Sequence, residues 1–243
     1  MIRVAAVGDI HLGPELRGRY RPRLRGIAER ADVLLLAGDL TQHGTEEEGD
    51  IVAGEIADLG LPVIAVLGNH DYHSDQQERI TASLREAGVV PLEGEGVVVD
   101  CPGGRLGIAG VKGFGGGFAG RCASEFGEPE MKAFVRHTKD VAAALREALK
   151  GLDADHKVAL THYSPDEETL EGEPPEIFPF LGSYLLAEAV DEGGAELAVH
   201  GHAHLGCEKG ATPGGVPVRN VALPVLGRAY AVYCLGGADT EGC

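Results

Sequence analysis

No stretch of this chain approaches the roughly 20 apolar residues needed to cross a bilayer, and it does not open with a basic segment, an apolar core and a cleavage site. Basic residues are scarce: 21 Lys and Arg stand against 38 Asp and Glu, a formal net charge of −17. Such a chain repels nucleic acid and anionic membrane over most of its surface. That argues against an extended nucleic-acid footprint and leaves small phosphate esters open. Cys101, Cys122, Cys207, Cys234 and Cys243 are an odd number without a CxxC pair. Neither a disulfide framework nor a zinc ribbon is indicated, and reduced thiols in a cytoplasmic protein are expected. There is no internal repeat, and no composition shift marks a domain boundary.

What is present is apolar patterning. With 243 residues, 44% hydrophobic and 24% charged, the chain can bury a large core, and one domain over residues 1–243 is expected. Continuous apolar runs at 2–7, 33–37, 61–67, 157–160 and 196–199 read as strands buried on both faces of a parallel sheet. Thr45-Glu46-Glu47-Glu48 has the capping-box pattern, with helical spacing onward through Ile51, Val52, Ile56 and Leu59. A second helix is predicted from Ser74–Glu78 to about Ala87. A third covers 130–149, with Phe134, Val141, Leu145 and Leu149 on one side. A fourth runs from a Ser183 cap to about Val190. Short β-like runs at 97–99 and 106–111 flank Pro102-Gly103-Gly104, and runs at 216–221 and 229–235 close the chain as β structure.

Five polar blocks each sit just past one of the apolar runs: Gly8-Asp9-Ile10-His11, Gly38-Asp39, Gly68-Asn69-His70-Asp71, Thr161-His162 and Gly201-His202-Ala203-His204. Polar groups at one end of several parallel strands converge on one crevice. Asp9, His11, Asp39, Asn69, His162, His202 and His204 together supply carboxylates, an amide and imidazoles, with no thiolate. That mixture suits Mn, Fe, Co, Ni or Zn. Seven ligands are too many for one tetrahedral zinc, and enough for two metals sharing a carboxylate. A pair about 3.5–4 Å apart can clamp an in-line displacement at phosphorus. Glycine opens four of the blocks. Its tolerance of positive φ and close approach is expected to turn the next residue toward the crevice.

In this order the blocks resemble the calcineurin-like metallophosphoesterase superfamily, whose pattern is D-x-H, G-D, G-N-H-[D/E], H and G-H-x-H. All five are present, from residue 8 to residue 204. The resemblance implies a four-layer α/β/β/α sandwich of two mixed sheets flanked by helices, with two transition-metal ions at the C-terminal strand ends. Asp9, His11 and His204 would hold the first metal and Asn69, His162 and His202 the second, with Asp39 bridging. His70 would lie over the phosphate with Asn69 and protonate the leaving oxygen, oriented by Asp71. The attacking group would be a hydroxide bridging the metals, with Mn or Fe favoured.

The expected reaction is hydrolysis of a small phosphodiester, a cyclic nucleotide being one candidate. A phosphomonoesterase or nuclease on the same metals is the alternative enzyme. A metal-retaining interaction scaffold without turnover is the alternative from another class. His200 is expected to be buried near the site without ligating. His43 and His73 either line the crevice or are solvated, and His137 and His156 are surface residues. The arginine-rich segment 17–25 is read first as a solvated face paired with acidic neighbours, and second as a phosphate-binding surface. The Gly-rich stretch 113–117 lacks the Gly-Lys-Ser/Thr of a P-loop. It is either a mobile flap, with Phe114 and Phe118 able to stack on a base, or a plain connection. Apolar residues in 114–118 and 174–180 offer a homodimer contact.

Overall fold

All five residues of Val33–Ala37 are apolar and all five are buried. A strand can show that pattern only when both faces of its sheet are covered. The computed structural model, which describes residues 1–237, supplies both covers. Strands β1 (Ile2–Val7), β2 (Val33–Ala37), β3 (Val63–Val66), β4 (Val89–Pro91) and β13 (Ala231–Leu235) form one sheet in the order β13-β1-β2-β3-β4. Strands β5 (Glu95–Cys101), β6 (Gly104–Val111), β9 (His156–Thr161), β10 (Leu197–His200), β11 (Lys209–Ala211) and β12 (Pro217–Asn220) form a second, in the order β11-β12-β10-β9-β6-β5. Both are mixed: β1 pairs parallel with β2 and antiparallel with β13, and β6 pairs parallel with β9 and antiparallel with β5. A small antiparallel pair, β7 (Gly117–Phe118) with β8 (Arg121–Cys122), stands apart.

The alternation of side chains along each strand builds the layers. On β2, Leu34 and Leu36 pack beneath α2 (Glu46–Ile56) and α3 (Gln77–Glu86), against Ile51, Ile56, Ile80 and Leu84. Val33, Leu35 and Ala37 point the other way and meet Ile108, Val158, Leu160 and Val199 of the second sheet. The far face of that sheet, through Ala109, Ala159 and Ala198, packs on Leu145 and Leu149 of α4 (Pro129–Gly151) and on Leu186 and Val190 of α6 (Tyr184–Gly193). The result is the expected α/β/β/α sandwich. Short helices α1 (Ile27–Arg30), α5 (Phe178–Leu181) and α7 (Leu223–Leu226) fill the connections.

Local signals hold where side chains make the contact the pattern implies. Thr45 and Glu48 form a reciprocal capping box on α2, and the Ser183 hydroxyl accepts from the Leu185 N–H at the start of α6. Other expectations need correction. Helix α3 starts at Gln77 without a side-chain cap, because the Ser74 hydroxyl donates to the His43 carbonyl instead. The buried face of α4 runs through Val135, Thr138, Ala142, Leu145 and Leu149, leaving Phe134 and Val141 at its edge.

The stretch 113–117 is not a free flap. Gly116 N–H donates to the Pro179 carbonyl at 2.7 Å, Gly117 N–H to that of Gly182 at 2.9 Å, and Thr138 Oγ1 donates to the Gly115 carbonyl. Two of the apolar residues in the segments named for a dimer contact, Phe118 and Phe178, are spent inside the chain, where they cluster with Leu170 and Leu181, while Ile177 and Phe180 stay exposed. The arginine-rich segment wraps around α2. Glu55 accepts the N–H groups of Gly18, Tyr20 and Arg21, and Arg17 pairs with Glu47 at 3.3 Å. Cys101, Cys122 and Cys207 are free thiols. Cys234 is disulfide-bonded, which departs from the all-thiol expectation, and Cys243 lies outside the described residues. Among the described residues no helix is long and apolar enough to cross a membrane.

Candidate metal centre

The parallel strands β1, β2, β3, β9 and β10 all deliver their C-terminal ends to one place. Beyond β1 and β2 the pairing continues into the loops, with Asp9 N–H donating to Gly38 O and His11 N–H to Asp39 O. The loops then leave regular geometry. Asp9, His11, Asp39 and His202 have φ of 55°, 41°, 49° and 71°, and only Asp58 and Asp75 share this among the other non-glycine residues described. Left-handed backbone at such residues is strained, and strain of this kind concentrates at functional sites.

This corrects the role expected for the glycines. After Gly8 and Gly201 the following residue makes the left-handed turn, at Gly38 both the glycine and Asp39 do, and at Gly68 neither does, since Asn69 is right-handed with φ of −69°. At Gly68 and Gly201 the glycine supplies clearance. A Cβ on Gly68 would overlap Asp39 Oδ1 and backbone N, and one on Gly201 would overlap Asp9 Oδ2.

Two donor clusters share Asp39. Asp9, His11, Asp39 and His204 converge on one side, and Asp39, His162 and His202 on the other. Asp39 divides its oxygens between them: Oδ2 lies 3.7 Å from His11 Nε2, and Oδ1 lies 3.3 Å from His162 Nε2. His204 Nε2 is 2.8 Å from Asp9 Oδ1, and the His202 N–H donates to the Asp9 carboxylate at 3.0 Å. Asn69 joins the second cluster, its Oδ1 2.9 Å from His162 Nε2.

The hydrogen bonds fix which ring atoms face inward. His162 Nδ1–H donates to the Ala37 carbonyl at 2.9 Å, leaving Nε2 as a lone pair. His202 Nε2–H donates to the Phe180 carbonyl at 3.2 Å, leaving Nδ1. Burial pushes His202 down to about 3 and His162 well below the ordinary imidazole value, so both rings are neutral near pH 7. Burial also lowers His11. Burial raises Asp9 to about 6 despite its bond to His204, and that same bond raises His204. In the second cluster the His162 lone pair, the Asn69 carbonyl oxygen and a carboxylate oxygen face one another with no proton between them. Acceptors so placed repel, and a cation resolves the repulsion. The donor set therefore fits a metal ion.

His70 stands at the rim, its side chain 45% exposed and its Nε2 3.9 Å from Asp39 Oδ2. Its Nδ1–H donates to the Gln42 carbonyl at 2.9 Å. Asp71 does not touch that ring, contrary to expectation. Its buried carboxylate accepts from Leu40 N, Thr41 N, Thr41 Oγ1 and Gly68 N, so it ties the Asp39 loop to the Asn69 loop. His200 is fully buried, with Nδ1 donating to Gly201 O and Nε2 2.9 Å from Thr169 Oγ1, so both nitrogens are occupied. His43 pairs with Glu48 and His156 with Glu196, and His73 is exposed. The exposed His137 rests edge-on against Phe114.

Sequence reasoning placed Phe114 near this crevice but missed the two tyrosines of its wall. Tyr163 lies against the His202 ring, centroids 4.4 Å apart, and Lys112 packs among Tyr72, Phe114 and Tyr163. The available signal was adjacency: Tyr72 and Tyr163 each directly follow a motif block.

Comparison with known proteins agrees with this geometry. The chain is 26% identical over 179 residues to a Bos taurus protein named as a transmembrane protein with metallophosphoesterase domain, covering 68% of this chain and 35% of that one. It is 31% identical over 90 residues to a Synechococcus sp. protein named as a probable cyclic nucleotide phosphodiesterase, covering 33% and 34%. The chain thus aligns with only about a third of the length of each curated relative. Among solved structures, the phosphopantetheinyl hydrolase of Mycobacterium tuberculosis superposes with a TM-score of 0.63 at 20% identity, over 90% of this chain and 88% of that one, which is a likeness of fold. The family model for calcineurin-like phosphoesterases matches residues 2–206, a span that includes both donor clusters, and the chain belongs to that family.

Proposed function

We propose that this protein is a dinuclear metal-dependent phosphodiesterase acting on small diesters, a cyclic nucleotide among them. One observation carries the reading: the Asp39 carboxylate turns one oxygen to each of two donor clusters. Asp9, His11 and His204 would hold one ion and Asn69, His162 and His202 the other, with Asp39 shared. Two bound divalent ions would neutralise the phosphate and activate the attacking water. Manganese or iron suits the mixed nitrogen and oxygen set best, with zinc, cobalt and nickel compatible.

The chain's own residues do the rest. His70, anchored through Nδ1 to Gln42, presents Nε2 over the site to hold a phosphoryl oxygen with Asn69 and to protonate the leaving oxygen. Asp71 positions this arrangement through the loops that it joins. The reading takes residues 1–243 as one domain, with Phe180 and Ile177 as the apolar side chains left for a homodimer contact. It also takes a cytoplasmic setting, which the three free thiols favour and the Cys234 disulfide opposes.

The test is hydrolysis by stripped protein given Mn, Fe, Zn or Ni. Substrates are 4-nitrophenyl phosphate, bis(4-nitrophenyl) phosphate, cyclic nucleotides and single-stranded DNA. Metal-dependent diester cleavage that collapses in Asp39→Ala is expected. Failure of every substrate with every metal would leave the scaffold reading. Preference for the monoester or for DNA would support the corresponding alternative enzyme.

A further inference from the structure

Lys112 follows the last residue of β6, and β6 runs parallel to β9 with Val111 opposite Thr161. The register therefore sets Lys112 beside His162, and the Lys112 carbonyl accepts the N–H groups of both His162 and Tyr163. Its side chain enters an aromatic enclosure. The Nζ atom lies 4.9 Å from the Tyr72 ring centroid, 5.2 Å from that of Phe114 and 5.5 Å from that of Tyr163. Tyr163 forms the common wall, since its other neighbours are the rings of His162 and His202. Tyr72 ends the short turn that begins at His70.

The ammonium has three N–H donors, and among the described residues none of them has a hydrogen-bond acceptor or an ion-pair partner. Glu93 and Asp39 act on it only through space, and Glu93 spends an oxygen on the Lys112 backbone N–H. Among the described residues the Tyr72 and Tyr163 hydroxyls also have no hydrogen-bond acceptor. Cation–π contact offsets about 0.5–2 kcal/mol of the cost of partly withdrawing the charge from water, and the polar atoms are not sealed off, so a ligand can reach them. A solvent-reachable cation and two phenols without protein acceptors among the described residues, beside a centre read as binding phosphate, make a place for an anion.

We propose that Lys112, with Tyr72 and Tyr163, is a specificity subsite that binds a second anionic group carried by the leaving group of the substrate. The side of the site follows from Tyr72. It lies on the turn of His70, the residue assigned to the leaving oxygen, so an anion at Lys112 belongs to the departing part. The preferred substrates are phosphate esters whose leaving group bears a carboxylate or a further phosphate.

This inference rests on the phosphoesterase reading, and the test separates the two. Binding of phenylphosphonate and of 3- and 4-carboxyphenylphosphonate to the Mn-loaded protein is measured by calorimetry, with hydrolysis of bis(4-nitrophenyl) phosphate and of phenyl phosphate assayed alongside. Wild type should bind one carboxylated probe at least tenfold more tightly than phenylphosphonate. Lys112→Met should bring that ratio to about one, Lys112→Arg should keep most of it, and Tyr163→Phe should lower it about threefold with every ring retained. A wild-type ratio near one, or a ratio unchanged in Lys112→Met, overturns the inference even where phenyl phosphate is hydrolysed. A Lys112-dependent ratio without turnover of any ester sustains the subsite and overturns the hydrolase reading. Binding of none of the probes overturns the inference, and together with no turnover of either ester it overturns both.

Discussion

The imidazole of His70 is held by the carbonyl of Gln42, its Nδ1 2.9 Å from that oxygen, and not by the adjacent carboxylate of Asp71. A carbonyl can only accept, so Nδ1 keeps its proton and Nε2 is the atom turned toward Asp39, 3.9 Å from Oδ2. The consequence for catalysis is direct. His70→Ala should retain two metals and lose about 10²–10⁴-fold in turnover, the usual worth of a positioned acid or base. The loss should grow as the pKa of the leaving group rises. A uniform loss across leaving groups would remove the proton-transfer role, and loss of both metals would make His70 a ligand.

Asp71 acts on the fold of the loops. Its fully buried carboxylate receives three backbone N–H groups and the Thr41 hydroxyl. Asp71→Ala strands those donors away from water, at about 1–3 kcal/mol for each that finds no new partner. We expect a loss of at least about 3 kcal/mol in urea unfolding of the metal-free protein, and a smaller loss for Asp71→Asn. A change within 0.5 kcal/mol would mean that water replaces the carboxylate.

A pH dependence follows from Asp166, which lies away from the ligand set. Burial raises it from 3.8 to about 6, against the pull of backbone N–H groups. A carboxyl with a raised folded pKa binds its proton more tightly folded than unfolded. Its contribution to stability is therefore complete below about pH 4 and is lost as pH rises through about 6. After solvent screening the effect is on the order of 1 kcal/mol. Thermal unfolding of Asp166→Asn against wild type should show wild type losing relative stability from pH 4 to 6.5. The opposite slope would mean that the hydrogen bonds, and not burial, dominate.

Much of this was legible in the sequence for identifiable reasons. Unbroken apolar runs such as VLLLA mark strands covered on both sides, and a ligand written just after such a run must lie at its C-terminal end. Asp9, Asp39, His162 and His202 each follow such a run, and the structure brings them into the two donor clusters. Ring orientation was not legible, because it is set by carbonyls of remote residues: Ala37 for His162, Phe180 for His202 and Gln42 for His70. The enclosure around Lys112 was hidden for the same reason, since its three rings come from three separate segments. The positive φ of the ligands left no signal either, because the neighbouring glycines invited that assignment.

Gly68 tests the clearance argument. An added Cβ meets Asp39 Oδ1 and the Asp39 backbone N. The carboxylate is the more movable of the two, so Gly68→Ala should displace the shared ligand while the distant sandwich survives. Elemental analysis should show fewer than one metal per chain, with far-ultraviolet circular dichroism unchanged. Retention of two metals would mean that Asp39 can bridge from another position.

Metal binding should also register as stability, because the fold brings acceptors together that a cation would hold. The Nε2 lone pair of His162 faces Asn69 Oδ1 at 2.9 Å and Asp39 Oδ1 at 3.3 Å, and its proton is committed to Ala37 on the far side of the ring. Four surrounding residues hold left-handed backbone to sustain this convergence. A cation binding only the folded chain at 100 times its dissociation constant adds about 2.7 kcal/mol. For a chain of this size that is roughly 5–11 °C in melting temperature. Stripped protein titrated with Mn should show such a rise in differential scanning fluorimetry. His70→Ala should keep it, since that ring lies outside both clusters. Asp39→Ala should lose most of it, because each cluster then lacks its shared carboxylate. No shift in wild type with Mn, Fe, Zn or Ni would leave the convergence of seven acceptors without a cation to explain it.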